Sequence, residues 1–318
     1  MNLKFIFKLI KKEISSVNKI IFDQLRSDVQ LVNRFIKYFN QNSGKKIRPI
    51  ITLLFSKILG YRGKKDIIAA SLIEFIHIAT LLHDDIIDSS IIRRGRKKSS
   101  IVFGNEISVL VGDFVYAKSL KMIVGLNSKK VLNLISKTVH MIIEGEILQL
   151  SNRTLEISQE TYMKIIYQKT SSLFETAAYI LTFICNVDSD KKIALKNYGR
   201  HFGNAFQLIN DIKDYQNCSN NFISKGNDLN DGNFTLPLIH VMQKVSKKES
   251  MEIKKVIQEG KGRSILRRIS FLMKRYGSLE YSRKIAESEI KIAIQSLDHF
   301  KCSSYKTALI KLTTSIID

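Results

Sequence analysis

Ile67-Ile68-Ala69-Ala70-Ser71-Leu72-Ile73-Glu74-Phe75-Ile76-His77-Ile78-Ala79-Thr80-Leu81-Leu82-His83-Asp84-Asp85-Ile86-Ile87-Asp88 is a long apolar run that ends in three acids. Its length and the absence of Pro and Gly predict one helix. Helical spacing puts Asp84 and Asp88 one turn apart on one face. Like charges at that spacing repel. Acids suit a helix start, yet these stand at the far end, by the negative pole of the dipole. Such a cluster points to a cation between the carboxylates. Hard oxygen donors with no Cys or Met nearby select Mg²⁺, which keeps several waters and is shared between carboxylates and substrate phosphates. Arg93-Arg94-Gly95 follows within a few residues. Acids beside paired guanidinium forks make a two-sign site for a phosphate group.

The same periodicity extends over the rest of the chain. Apolar residues recur at three- and four-residue steps in 17–39, 49–59, 66–88, 105–125, 129–150, 159–186, 192–215, 235–245, 263–276 and 278–297. No alternating stretch is long enough for a sheet. Only two prolines, Pro49 and Pro237, interrupt 318 residues. Turn signals fall at Asn42-Ser43-Gly44, Gly60, Gly63, Gly95 and Gly104, and 217–234 is polar enough to predict a long loop. With no linker and no repeat, residues 1–318 read as one all-α domain of roughly ten or more helices around a cavity.

Composition narrows the function classes. A formal charge of +22 admits nucleic acid, an anionic membrane or polyanionic substrates. The lysines are scattered, and neither zinc-finger spacing nor a recognition-helix or RNA-binding signature is present, so no nucleic-acid role is expected. Cys185, Cys218 and Cys302 are odd in number and far apart, which fits a reducing cytoplasm. Lys8 interrupts the apolar residues of Met1 to Lys12, which predicts an amphipathic first helix rather than a secretory signal. The apolar stretch from Ala177 to Cys185 is too short to span a bilayer.

Leu81 to Gly95 resembles the first aspartate-rich motif of the trans-isoprenyl (polyprenyl) diphosphate synthases, and the run at 73–83 is similar to octaprenyl diphosphate synthases within that family. Further landmarks follow in order from about residue 43 to 240. Gly44-Lys45-Lys46-Ile47-Arg48-Pro49 resembles the family's basic loop for isopentenyl diphosphate. Gly112-Asp113-Phe114 and Lys169-Thr170 resemble shorter elements. Phe206 to Tyr215 resembles the second aspartate-rich motif, and Gly226-Asn227-Asp228-Leu229 with Thr235-Leu236-Pro237 the stretch after it. Independently of any family, Asn210 and Asp214 are one helical turn apart, with Gln207 near the same face. Two acid-bearing helices far apart in sequence are thus expected to face each other, Asp84 on one and Asp214 on the other, across a common cavity.

The resemblance implies roles residue by residue. Asp84, Asp85, Asp88, Asp211 and Asp214 are the expected catalytic acids, and Asp84, Asp88 and Asn210 the expected ligands of two or three Mg²⁺ ions. Lys45, Arg48, His77 and Arg94 are expected on isopentenyl diphosphate. Arg93, Lys169, Thr170 and Gln207 are expected on the allylic diphosphate. Small side chains at Ala79 and Thr80, continuing to Ile76, imply a long product, about eight isoprene units, of the kind that supplies quinone side chains. The family also implies a homodimer, and product release admits a transient membrane contact.

The sequence departs from the family pattern in its second half. Asn210 stands where the motif begins with Asp. The Gly-Lys before Gly226 is out of register, and the Lys near Asn233 is absent. These departures motivate a rival, an inactive partner subunit of a heteromeric synthase. A class I terpene cyclase is a second rival. It fits Asn210 but not Asp214 and Cys218, and leaves the basic site without a purpose.

Overall fold

A computed structural model describes residues 4–41, 44–88, 91–93, 96–216 and 226–317. It is all-α, apart from a two-residue antiparallel ladder, Ile92–Arg93 with Arg96–Lys97, in which Ile92 faces Lys97 and Arg93 faces Arg96. The ladder stands on either side of the turn signal at Gly95. It is tied down by Tyr38, whose hydroxyl donates to the Lys97 carbonyl at 2.8 Å, and by Arg96, which donates to Gln41 Oε1 at 2.5 Å.

The helices are α1 Lys4–Leu9, α2 Lys11–Gln24, α3 Gln30–Asn40, α4 Ile47–Ile58, α5 Lys65–Ile87, α6 Ser99–Phe103, α7 Asn105–Leu126, α8 Lys129–Ser151 and α9 Gln159–Ile166. Then come α10 Ser172–Tyr179, α11 Ser189–Tyr215, α12 Asn227–Asn230, α13 Leu236–Lys244, α14 Lys247–Gln258, α15 Leu266–Arg275, α16 Ser278–Gln295 and α17 Ser304–Thr314. Three boundaries differ from the periodicity. The single segment at 17–39 is two helices, because Asn33 folds back on Ser27, accepting from its N–H at 3.1 Å and donating to its carbonyl at 2.7 Å. The polar stretch 217–234, expected as loop, contains α12, while 217–225 lies outside the described residues. The segment 159–186 is not one α-helix. A π-helical turn, Tyr167–Ser171, separates α9 from α10.

One apolar cluster runs from Ile6 to Ile316. Its axis is α5, buried at Ala69, Leu72, Phe75, Ile76 and Leu82 and packed between α4, α7 and α2. By length and composition α5 could cross a membrane, but most of it is covered by its neighbours, as in a core helix. The other long central helix, α11, packs on α10 and α16. The acids of both sequence motifs stand at the C-terminal ends of these two helices.

The π turn is gripped closely. A Cβ on Gly145 of α8 would lie 2.7 Å from Gln168 Cβ and 2.8 Å from the Lys169 nitrogen. One on Gly203 of α11 would lie 2.6 Å from Ser171 Cα. Only glycine lets both helices come this near. π-helical turns are rare and recur at functional sites.

Candidate active site

Two adjoining cavities open where α4, α5, the π turn and α11 converge. The larger, about 420 Å³, is basic on one side, with Lys45, Lys46, Arg48, His77, Lys97 and Lys98 in its wall. The smaller, about 300 Å³, is acidic, with Asp84, Asp88, Asp211, Asp228 and Asp231. Asp84, Lys169, Thr170 and Gln207 line both.

On the basic side, Arg48 is buried. Its guanidinium lies 4.0 Å over the Phe174 ring, and Nη1 is 3.1 Å from His77 Nε2. The arginine can only donate, so His77 Nε2 accepts. Burial pulls Arg48 down to about 10, partly offset by Glu74, and it stays protonated at neutral pH. Its buried Nε has no hydrogen-bond partner among the described residues and is a donor left for a ligand. Lys46, in the left-handed conformation at φ 50°, starts α4 at this wall, and Lys45 beside it is exposed.

The end of α5 divides its acids. Asp84 faces both cavities and Asp88 the smaller one, where Arg153 approaches it at 3.6 Å. Asp85 is buried on the larger cavity, 3.9 Å from the Lys98 ammonium. Lys98 also donates to the Asp88 carbonyl at 3.3 Å. This buried cation caps the negative helix end and offsets the local repulsion. Sequence reading missed Lys98, since one lysine within Arg96-Lys97-Lys98 carries no mark of burial. The backbone of Arg93 lies in the first strand. Its side chain, and all of Arg94, fall outside the described residues.

The π turn presents Lys169 and Thr170. Lys169 pairs with Glu146 at 2.6 Å and donates to Gln149 at 2.9 Å. Burial works against its charge, but Asp84 and Glu146 outweigh it and raise the pKa. The Thr170 hydroxyl donates to Gln207 Oε1 at 3.1 Å, and Gln207 Nε2 donates to Asp211 Oδ1 at 2.7 Å. Tyr162 of α9 donates to Asp211 Oδ2 at 2.6 Å.

The acidic wall differs from expectation at Asp214, which is not among the residues lining either cavity. Its carboxylate accepts from the N–H groups of Gly226 at 3.2 Å and Asp228 at 3.4 Å, and so anchors the start of α12. The acids that share a cavity with Asp84 are instead Asp211, Asp228 and Asp231. Asp228 stands in the stretch Gly226 to Leu229 that the sequence marked without assigning it a role. Asn210 is exposed and lines the larger cavity. Thr80 lines that cavity too, its hydroxyl turned back to the His77 carbonyl at 2.9 Å, while Ile76 and Ala79 are buried behind it.

The acidic pocket fits a divalent cation. Burial, more than any neighbour, pushes Asp211 up to about 7, with Asp214 adding to it. Burial and then Asp211 push Asp228 well above the usual carboxylate range. Clustered desolvated acids of this kind are stabilised by a cation among them. The wall offers oxygen and nitrogen donors without sulfur. Among the described residues no group of three His, Cys, Asp or Glu side chains is close enough to hold an ion unaided.

A family model for polyprenyl synthetase matches residues 29–270. The chain belongs to the polyprenyl synthetase family. It is 42% identical over 315 residues to the octaprenyl diphosphate synthase of Escherichia coli (strain K12), covering 98% of this chain and 97% of the relative. It is 34% identical to an all-trans-nonaprenyl-diphosphate synthase (geranyl-diphosphate specific) of Rhodobacter capsulatus, over 97% and 95% of the two chains. A polyprenyl synthase from Caulobacter crescentus CB15, solved with calcium and isoprenyl diphosphate, superposes with a TM-score of 0.93 at 31% identity, covering 99% of this chain and 97% of that one. The fold is that of the family's isoprenoid synthases, and the activity is that of a trans-polyprenyl synthase, a prenyltransferase.

Proposed function

We propose that the chain is an all-trans-octaprenyl diphosphate synthase that adds isopentenyl diphosphate to an allylic diphosphate such as farnesyl diphosphate, with Mg²⁺. The observation that carries this reading is the pair of adjoining cavities, one basic and one acidic, joined at Asp84, Lys169, Thr170 and Gln207. A reaction between two diphosphates needs two anion sites side by side, and only the one that loses its diphosphate needs a cluster of acids for metal.

In this reading Lys45, Arg48, His77 and Arg94 bind isopentenyl diphosphate. Arg48 donates from its free Nε, and His77 holds the guanidinium in place. The allylic diphosphate lies against Lys169, Thr170, Gln207 and Arg93. Asp84, Asp88 and Asn210 would hold Mg²⁺, and Asp211 and Asp228 widen the oxygen set. When bound, Mg²⁺ neutralises the diphosphate and so makes it a better leaving group. Lys169 adds a fixed positive charge on the same leaving group. Tyr162 and Gln207 orient Asp211. Asp85 acts through Lys98 to hold the end of α5. Asp214 acts by anchoring α12. The walls keep the two reacting carbons adjacent, and the methylene proton leaves for the departing diphosphate.

The growing hydrocarbon passes Thr80, with Ala79 and Ile76 setting the region of chain-length control. Small side chains there suit a long product. The octaprenyl length follows the Escherichia coli relative, and a quinone side chain is its use. A homodimer is part of the same reading. Leu110, Leu120 and Val124 are exposed along α7, and Leu132, Ile143 and Ile147 along α8, apolar surface that a second copy would cover. Residues 1–318 act as one polyprenyl synthase domain. The unpaired thiols of Cys185 and Cys302 suit the cytoplasm, and the excess of positive charge suits a passing contact with membrane when product leaves.

The test is direct. The purified chain is incubated with labelled isopentenyl diphosphate, farnesyl diphosphate and Mg²⁺, and the products are sized. Linear octaprenyl diphosphate is the expected product. A shorter or longer linear product overturns the length alone. A cyclic hydrocarbon, or no turnover without a second subunit, overturns the reaction.

A further inference from the structure

We propose that Ser171, Asn204, Glu289 and His201 form a brace that fixes the π-helical turn and thereby sets where Lys169 and Thr170 meet the allylic diphosphate. They are positioning residues. The inference rests on the assignment of that substrate to Lys169 made above.

The brace is continuous. The Ser171 hydroxyl, fully buried, donates to Asn204 Oδ1 at 2.6 Å, with the Ile166 carbonyl 3.3 Å away. Asn204 Nδ2 donates to Glu289 Oε2 of α16 at 3.0 Å. His201 Nδ1 holds the same carboxylate oxygen at 2.6 Å. The amide of Asn204 has one sensible orientation, because a swapped amide would set its oxygen against the carboxylate. A serine, an asparagine and a carboxylate in series are more than packing between α10, α11 and α16 requires. Apolar side chains would fill that space without the cost of burying polar groups.

The position of the brace gives its purpose. Thr170 donates to Gln207, and Ser171 to Asn204, one turn earlier on α11. Successive residues of the turn are thus bonded to one helix face, and Gly203 lets that face approach. On the opposite side Lys169 reaches Glu146 and Gln149 of α8. A turn released from α11 would relax toward regular α geometry and carry Lys169 and Thr170 off the line joining the two cavities. The bulge persists because its surroundings over-determine it.

Ser171→Ala removes one hydroxyl and adds no bulk. It is expected to raise KM for farnesyl diphosphate about five- to tenfold, the scale of one lost buried hydrogen bond. KM for isopentenyl diphosphate should stay within about twofold, because Arg48 and His77 are untouched. Lys169→Ala should raise the farnesyl diphosphate KM more. Adding Ser171→Ala to it should then change little, since both act through one contact. At the far end of the brace Glu289→Leu should reproduce the Ser171→Ala pattern, and Glu289→Gln, which still accepts from Asn204, should restore most of it. Circular dichroism keeps these comparisons to folded protein. If Ser171→Ala and Glu289→Leu are silent while Lys169→Ala is strong, the brace is overturned alone. If both KM values rise together, the network is merely structural and the brace is again overturned. If Lys169→Ala leaves the farnesyl diphosphate KM unchanged, the assignment of that substrate fails and the brace falls with it.

Discussion

The two acidic walls of the pocket are built on different plans. The α5 wall takes Asp84, Asp85 and Asp88 from one helix end, where a five-residue run suffices. Lys98, from just beyond the ladder, neutralises the buried member and caps the helix. The α11 wall is assembled from separate pieces. Asp211 comes from the helix end, Asp228 from α12 and Asp231 from the residue after it, and Tyr162 from α9 orients Asp211. Lys169 pulls Asp211 and Asp228 down, but burial outweighs it and drives these acids toward the protonated form. The first wall can stand by itself. The second would gain most from a bound cation.

Asp84→Ala is the strongest way to break this picture, since among the described residues Asp84 alone of the acids faces both cavities. Its loss should lower kcat by at least about a hundredfold, the scale of removing one preorganised electrostatic contact. A second measurement separates binding from catalysis. Mg²⁺ with inorganic diphosphate should raise the melting temperature of the unaltered chain, because it binds only the folded state. It should raise that of Asp84→Ala far less. Equal rates, or equal melting shifts, would place the metal elsewhere.

Gly203→Ala probes the scaffold shared by the walls rather than either wall. The added methyl would sit 2.6 Å from Ser171 Cα, a backbone atom with little room to yield. Overpacking of this kind costs about 1–3 kcal/mol. The melting temperature should fall by several degrees, and the affinity for farnesyl diphosphate should fall with it. A variant as stable as the parent would mean that α11 and the π turn are not in such close contact.

How far the site could be read from sequence follows the same division. Long apolar periodicity disclosed α5, α7, α8 and α11, and with them the all-α fold, because burial of one face leaves a regular mark. Asp84 and Asp88 were legible because helical spacing is enough to place them side by side. The π turn left no mark, since Tyr167 to Ser171 keeps an ordinary helical pattern and only contact with Gly145 and Gly203 discloses the bulge. Helix α14 was passed over although Ser246 and Glu249 spell a capping signal, with Ser246 accepting from the Glu249 N–H at 3.2 Å. Asp214 was expected in the cavity by the same i, i+4 rule that served Asp84. There the carboxylate accepts from the amides of Gly226 and Asp228, later chain that packs beside the end of α11. Spacing predicts which residues share a face of a helix, but not what later chain arrives to cover that face.

Asn210→Asp should have the smallest effect, and it sharpens the contrast most. Asn210 stands where related motifs carry an acid, and it opens onto the larger cavity rather than the acidic one. A carboxylate there would add charge at the border of the two cavities. A full unit pair at 4 Å is worth roughly 4 kcal/mol at an effective dielectric of 20. Exposure and the amide oxygen already present reduce that a good deal. The Mg²⁺ concentration for half-maximal rate should therefore fall, by about two- to tenfold, with product length unchanged. If it does not move, Asp211, Asp228 and Asp231 suffice to complete the second wall, and the asparagine is a tolerated change rather than a weakened ligand. If it rises, the neutral side chain relieves repulsion among those clustered acids. The second wall would then be limited by too much negative charge rather than too little.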